Sequence, residues 1–259
     1  MIYSSAMDTA ENSAIRAVSD IDLRVPFYCE ENAWRVVYRH LAGVTTNDDA
    51  YEYHVVFISN NARCCPFYRQ RAKPVDMEDE CVCWDYHVIV IRAKSSGTKT
   101  TTTEVLDVDS WMPYPCPINY YLGETFRPHT LKTTLDEQFH PFFRVIPAHQ
   151  YIKYFYSDRM HMFTSGKWMA PPPQYQPIMN GLMHANNEQE ITEYKKKTRN
   201  VSNLEKYIDM MPSSSSLGGG GGNCGSNVNE TTIDERMGTV LTFDKFRARF
   251  TLMNNSDEA

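Results

Sequence analysis

Three side chains in this sequence could cooperate in nucleophilic chemistry: Cys29, His87 and Asp107. Cys29 directly precedes a helical pattern whose apolar stripe runs Trp34, Val37, Tyr38 and Leu41, with Gly43 as the expected C-cap. A thiol at a helix N-terminus lies beside unsatisfied backbone N–H groups and the positive end of the helix dipole, which together stabilise the thiolate. The thiolate is the form that attacks a carbonyl carbon. Glu30 and Glu31 oppose it, because nearby negative charge raises a thiol, so a base of positive character must stand close by. Position alone is met more often by a small buried hydrophobic residue at the start of a helix.

A base and its partner sit on a predicted hairpin. Asp85–Arg92 and Thr101–Asp109 are apolar or β-branched runs of strand length, separated by a turn at Ser95–Lys99 centred near Gly97. Residues then pair when their numbers sum to about 194, as those of His87 and Asp107 do, with Cβ atoms roughly 5 Å apart. At that separation a carboxylate can hold an imidazole in one tautomer and stabilise its protonated form. A slip of one residue would put the two on opposite faces. The plainer readings are a core histidine bonded to backbone and a strand-end carboxylate on a turn. Taken with Cys29, the order is papain-like: nucleophile on the first helix, then histidine and an acid on following strands.

The elements that must position these residues imply one α+β domain, with an antiparallel central sheet flanked by helices. Tyr53–Ser59 reads as a buried central strand and Phe142–Ile146 as a further one. Ala148–Met160 reads as a helix, Met237–Phe243 as a last strand, and Asp244–Phe250 as a closing helix. Residues 1–25 read as a flexible leader, 26–250 as the catalytic domain and 251–259 as a tail. Residues 168–177, with Pro171, Pro172 and Pro173, must be loop or extended polyproline. Residues 212–235, rich in Ser and Gly, have too little apolar surface to offset their ordering entropy and read as a disordered insertion.

The composition is that of an ordinary globular protein, with 42% hydrophobic and 22% charged residues. A net charge of −6 argues against nucleic acid as the main partner. No apolar window is long enough to span a bilayer and no N-terminal targeting pattern stands out, so the expectation is no membrane, a soluble monomer, and the cytoplasm with the nucleus as a second compartment. Seven cysteines, an odd number at irregular spacing, suggest reduced thiols. Cys64, Cys65, Cys81 and Cys83 with His87 could suggest zinc, but they lack paired C-x-x-C frames, and no metal or other cofactor is expected. Pro171–Pro173 could serve as an SH3-type ligand or as a rigid wall of a cleft.

Several strings carry a specific resemblance: Tyr28-Cys-Glu-Glu-Asn32, Trp84-Asp-Tyr-His-Val88, Leu106-Asp-Val-Asp109, Pro113-Tyr-Pro-Cys116, Ser157-Asp-Arg-Met-His161, and Trp168 with the three prolines. Over about residues 25–250 the chain resembles the protein N-terminal glutamine amidohydrolase family. The resemblance implies a papain-like or transglutaminase-like fold and a triad of Cys29, His87 and Asp107. It also implies conversion of N-terminal glutamine of proteins and peptides to glutamate with release of ammonia, upstream of arginylation and ubiquitin-dependent degradation. Recognising a free N-terminus requires a carboxylate or several carbonyls, and Glu31 and Asp85, beside the residues of that triad, are the candidates. A papain-like peptidase or deubiquitinase, a transglutaminase-type acyl transferase, and a zinc- or polyproline-binding adaptor are the rival readings.

Overall fold

The computed structural model describes residues 13–15, 17–42, 51–95, 101–181, 201–210 and 235–251. Six antiparallel strands form the central sheet, in the order β10-β7-β1-β4-β5-β6. They are β1 (Tyr51–Ser59), β4 (Tyr86–Ser95), β5 (Thr101–Leu106), β6 (Cys116–Pro117), β7 (Phe142–Pro147) and β10 (Thr239–Thr242). A small hairpin of β2 (Cys65–Phe67) and β3 (Val82–Trp84) leads into β4. Another, β8 (Phe163–Thr164) with β9 (Lys167–Trp168), opens the proline-rich stretch. This is the expected α+β architecture.

Helices cover both faces. Helix α1 (Cys29–Leu41) packs with α4 (Ala148–Tyr154) and α5 (Leu204–Ile208) on a core that takes Val55 and Phe57 from β1 and Val88 and Val90 from β4. The alternate residues, Val56, Ile58, Ile89 and Ile91, face α2 (Ile118–Phe126) and α6 (Phe243–Phe250), with the shorter helix α3 (Pro128–Thr134) adjoining them. A strand buried on both faces reads as a continuous apolar run, which is why β1 shows no alternation in the sequence.

Four expectations need correction. Strand β5 ends at Leu106, not Asp109, because Asp107 begins a turn in which its own Oδ1 accepts the Asp109 N–H at 2.9 Å. Helix α4 stops at Tyr154, well short of Met160, since Ser157 bridges to Ser202 through the flanking bonds of Asp158 N–H to the Val201 carbonyl and Asn203 N–H to the Tyr156 carbonyl, while its own N–H donates to the Ile178 carbonyl. The leader is not loose throughout, as Ile15 and Leu23 are fully buried and Asp20 accepts from Arg39, His40 and Tyr114. The cysteines are not all reduced: Cys64 and Cys83 form a disulfide, while Cys29, Cys65, Cys81 and Cys116 are free among the described residues. The expected Gly43 cap, the Gly97 turn, the Ser/Gly stretch from 212 to 234 and most of the tail lie outside the described residues.

Candidate active site

The first residue of α1 is Cys29 itself, with Tyr28 as N-cap. Just ahead of it, Phe27 adopts the left-handed conformation (φ 68°) that a bulky residue rarely takes. Strain of that kind persists only where the surroundings enforce it. Here Asn32 holds the turn, accepting the Val25 N–H at 2.8 Å and donating to the Val25 carbonyl at 2.9 Å. Tyr28 is buried, its hydroxyl donating to the Ala170 carbonyl.

His87 lies near the start of β4, and its Nε2 is 3.1 Å from Asp107 Oδ2. The pair is buried. The hairpin register is offset by two residues from the expected one: Val90 pairs with Leu106 and Ile91 with Val105. An even offset keeps both side chains on the same face, so the contact forms diagonally from beyond the end of β5. The Tyr121 hydroxyl on α2 donates to the same Asp107 oxygen at 2.7 Å. Trp84 stacks on the imidazole at 6.0 Å and Phe67 meets it edge-on at 5.4 Å, which fixes the plane of the ring.

The electrostatics follow from these contacts. Burial alone would depress His87, but the adjacent Asp107 carboxylate lifts the imidazole above its ordinary value. Burial would likewise raise Asp107, yet His87 and the Tyr121 hydroxyl bring it below the usual carboxylate range. Cys29 moves against the helix-dipole expectation: burial first, then Glu30 and Asp109, push the thiol well above its normal value. The Val88 N–H, on the stretch of β4 that β5 leaves unpaired, opposes that rise.

Cys29 and His87 border one cavity of about 440 Å³, together with Phe27, Trp84, Asp85 and His161. Asp109 reaches the same cavity, its carboxylate held by Arg24 at 2.7 Å and Asn32 at 3.2 Å. Asp85 also borders it, accepting the Tyr86 N–H at 2.9 Å through one oxygen. Glu31 does not. It is fully buried and bound by Arg159 through two bonds, at 2.7 and 2.8 Å. Arg159 also donates to the carbonyls of Pro173, Tyr175 and Gln176, so the end of the proline-rich loop clamps this ion pair, while Met169 is the part of that loop that borders the cavity.

Among the described residues no three His, Cys, Asp or Glu side chains converge as metal ligands. The cysteine cluster instead closes as a disulfide and His87 turns to Asp107. Sequence reasoning missed Tyr121, whose only signal is its place on an apolar helix. It also missed Asn32 and His161, although both lie inside the strings that carried the resemblance.

A sequence model described as N-terminal glutamine amidase matches residues 24–250. The chain belongs to that family. Protein N-terminal glutamine amidohydrolase from Bos taurus is 39% identical over 162 residues, covering 60% of this chain and 69% of its own length. The proteins of that name from Drosophila erecta and Drosophila melanogaster are 39% identical over 162 residues, covering 62% of this chain and 74% of theirs. No helix among the described residues is long and apolar enough to cross a membrane.

Proposed function

We infer that this chain is a hydrolase that converts N-terminal glutamine of proteins and peptides to glutamate, releasing ammonia. The family match across residues 24–250 carries this reading. The roles within the site are our assignment. Cys29 Sγ attacks the side-chain amide carbon of the glutamine, and its proton passes to His87. With Nε2 engaged by Asp107, the other ring nitrogen is left to serve the thiol. The backbone N–H groups at the start of α1, which lack intrahelical partners by position, stabilise the oxyanion. His87 then protonates the departing amine, so ammonia leaves and a thioester remains. The same imidazole takes a proton from water, hydroxide attacks the thioester, and glutamate and the thiol are restored. Asp107 orients His87 and balances its charge throughout.

Because the thiol is held high and His87 is held ready to carry charge, proton transfer accompanies attack; a standing thiolate is not required. Asp85 is the carboxylate we assign to the substrate's ammonium. The Arg159 pairing leaves Glu31 a supporting role under the helix start. The helix-borne cysteine against an antiparallel strand bearing the histidine supports a papain-like or transglutaminase-like ancestry. Arginylation and ubiquitin-dependent degradation would follow for the glutamate product, in the cytoplasm and nucleus.

Incubation with a Gln-initiated peptide should release one ammonia per peptide, while the N-acetylated peptide and one with internal glutamine stay intact. Comparable turnover of the acetylated peptide would leave a general glutamine amidase. Cleavage of the backbone or transfer to an added amine would favour the peptidase or transglutaminase reading.

A further inference from the structure

Glu30 occupies a place where a carboxyl is costly. It is fully buried on the first turn of α1, directly beside the nucleophile, with Cys29 Sγ 3.7 Å from Oε2. The Tyr86 hydroxyl on β4 donates to that same oxygen at 3.1 Å. The other oxygen, Oε1, has no hydrogen-bond partner among the described residues. His161 Nε2, on the turn Met160–Met162, faces it from 3.6 Å, and among the described residues neither ring nitrogen of His161 has a hydrogen-bond partner. A glutamine would fill the same shape without the cost of burying an ionisable group.

The surroundings bias this carboxyl toward its protonated form. Burial first, then the neighbouring Glu31, raise Glu30 to about 8, with its own backbone N–H, the Tyr86 hydroxyl and the Cys29 thiol pulling the other way. The charge of Glu31 is already met by Arg159. From α4 the Tyr151 hydroxyl reaches only the Glu30 backbone carbonyl, at 3.1 Å. On the thiol's other sides stand His87, Asp85 and Asp109, and the two aspartates repel a thiolate just as an ionised Glu30 does.

We propose that Glu30 is a positioning residue for Cys29, which in its neutral form turns its O–H to the sulfur as negative charge develops there and in its ionised form suppresses the nucleophile. This rests on Cys29 being the nucleophile of the proposed reaction. No proton leaves Glu30 in the step: its hydrogen bond to sulfur strengthens while the thiol proton goes to His87. The consequence is an upper pH limit on turnover set by a group that touches no substrate.

The test follows iodoacetamide alkylation of Cys29 against pH, read by mass spectrometry of the Cys29 peptide, alongside kcat and KM on a Gln-initiated peptide. In the wild type, alkylation should lag above pH 8 and kcat should fall. In Glu30→Gln the lag should vanish, with alkylation about tenfold faster at pH 9, as expected for removing about one pH unit of repulsion, and KM unchanged within about twofold. Tyr86→Phe removes one of the bonds that favour the ionised carboxylate, so it should move the alkaline fall to higher pH. A folded Glu30→Gln enzyme whose alkylation profile superposes on the wild type would overturn the proposal. If that variant does not fold, an unshifted Tyr86→Phe profile does so. Shifted alkylation without ammonia release would uphold the Glu30 role and remove the glutamine reading instead.

Discussion

Asp107 Oδ2 accepts from two directions at once, from His87 Nε2 at 3.1 Å and from the Tyr121 hydroxyl at 2.7 Å. The hairpin alone would give one of these bonds; helix α2 supplies the other. Tyr121→Phe should therefore lower kcat about tenfold, the effect of losing one hydrogen bond worth roughly 1.5 kcal/mol to a charged group, with KM little altered. Asp107→Asn should cost about 10⁴ in kcat by presenting the wrong partner to the imidazole. Steady-state ammonia assays would check both, and equal losses would show that Tyr121 matters as much as the carboxylate.

Replacing the nucleophile should separate chemistry from folding. Cys29→Ala is expected to abolish ammonia release with the melting temperature nearly unchanged, since the alanine leaves only a small space at the cavity wall. Activity above a few per cent of wild type would remove Cys29 from its assigned role.

The His87–Asp107 pair predicts a pH dependence of stability. His87 is held above its ordinary value, so its contribution is complete below about pH 6.5 and fades as pH rises through the raised value. Asp107 is held low, so its contribution is present above about pH 4 and is lost only as pH falls through its depressed value. Melting temperatures across pH 4 to 9 should show the decline on the alkaline side, and Asp107→Asn should flatten it. An identical slope in the variant would place the titration elsewhere.

Glu31 and Arg159 make a buried ion pair with two bonds. Arg159→Met leaves a buried carboxylate without its partner and should cost about 3–5 kcal/mol. The double variant with Glu31→Gln should recover part of that loss, because removing both charges removes the uncompensated one. Denaturant midpoints of the two variants decide it; strictly additive losses would mean that the pair is not coupled.

Asp85 is expected to report on the substrate's amine. Asp85→Asn should raise KM for Gln-initiated peptides about tenfold or more, the range for loss of a charge-assisted bond, with a smaller change in kcat. If kcat fell and KM held, Asp85 would be acting on His87 or the nearby backbone instead.

Much of this site was legible in the chain. The helical stripe from Trp34 placed Cys29 at a helix start, and continuous apolar runs marked β1 and β4 as central. For a short-looped hairpin, face parity brought His87 and Asp107 together even though the register was off by two. Helix α4 was read too long because periodicity continues past Tyr154, while the bridge from Ser157 to Ser202 spans a sequence separation no local pattern carries. The Cys64–Cys83 bond was missed for a similar reason: pairing depends on two backbones approaching to a Cα separation of 5.2 Å, which spacing alone does not state.

The sequence by itself determined the residue types, the helix and strands that carry them and the family strings in which they sit, because these depend on neighbours a few positions away. Tertiary structure decided what each carboxyl does. Glu30, Glu31, Asp85, Asp107 and Asp109 are chemically alike as letters. Packing gives Arg159 to Glu31, His87 and Tyr121 to Asp107, Arg24 and Asn32 to Asp109, and a place on the cavity wall to Asp85. Among the described residues, Glu30 alone of the five is left buried with an oxygen that lacks a hydrogen-bond partner. A carboxyl's charge state is set by desolvation and by which groups reach it through space, and both exist only once distant segments have closed around it.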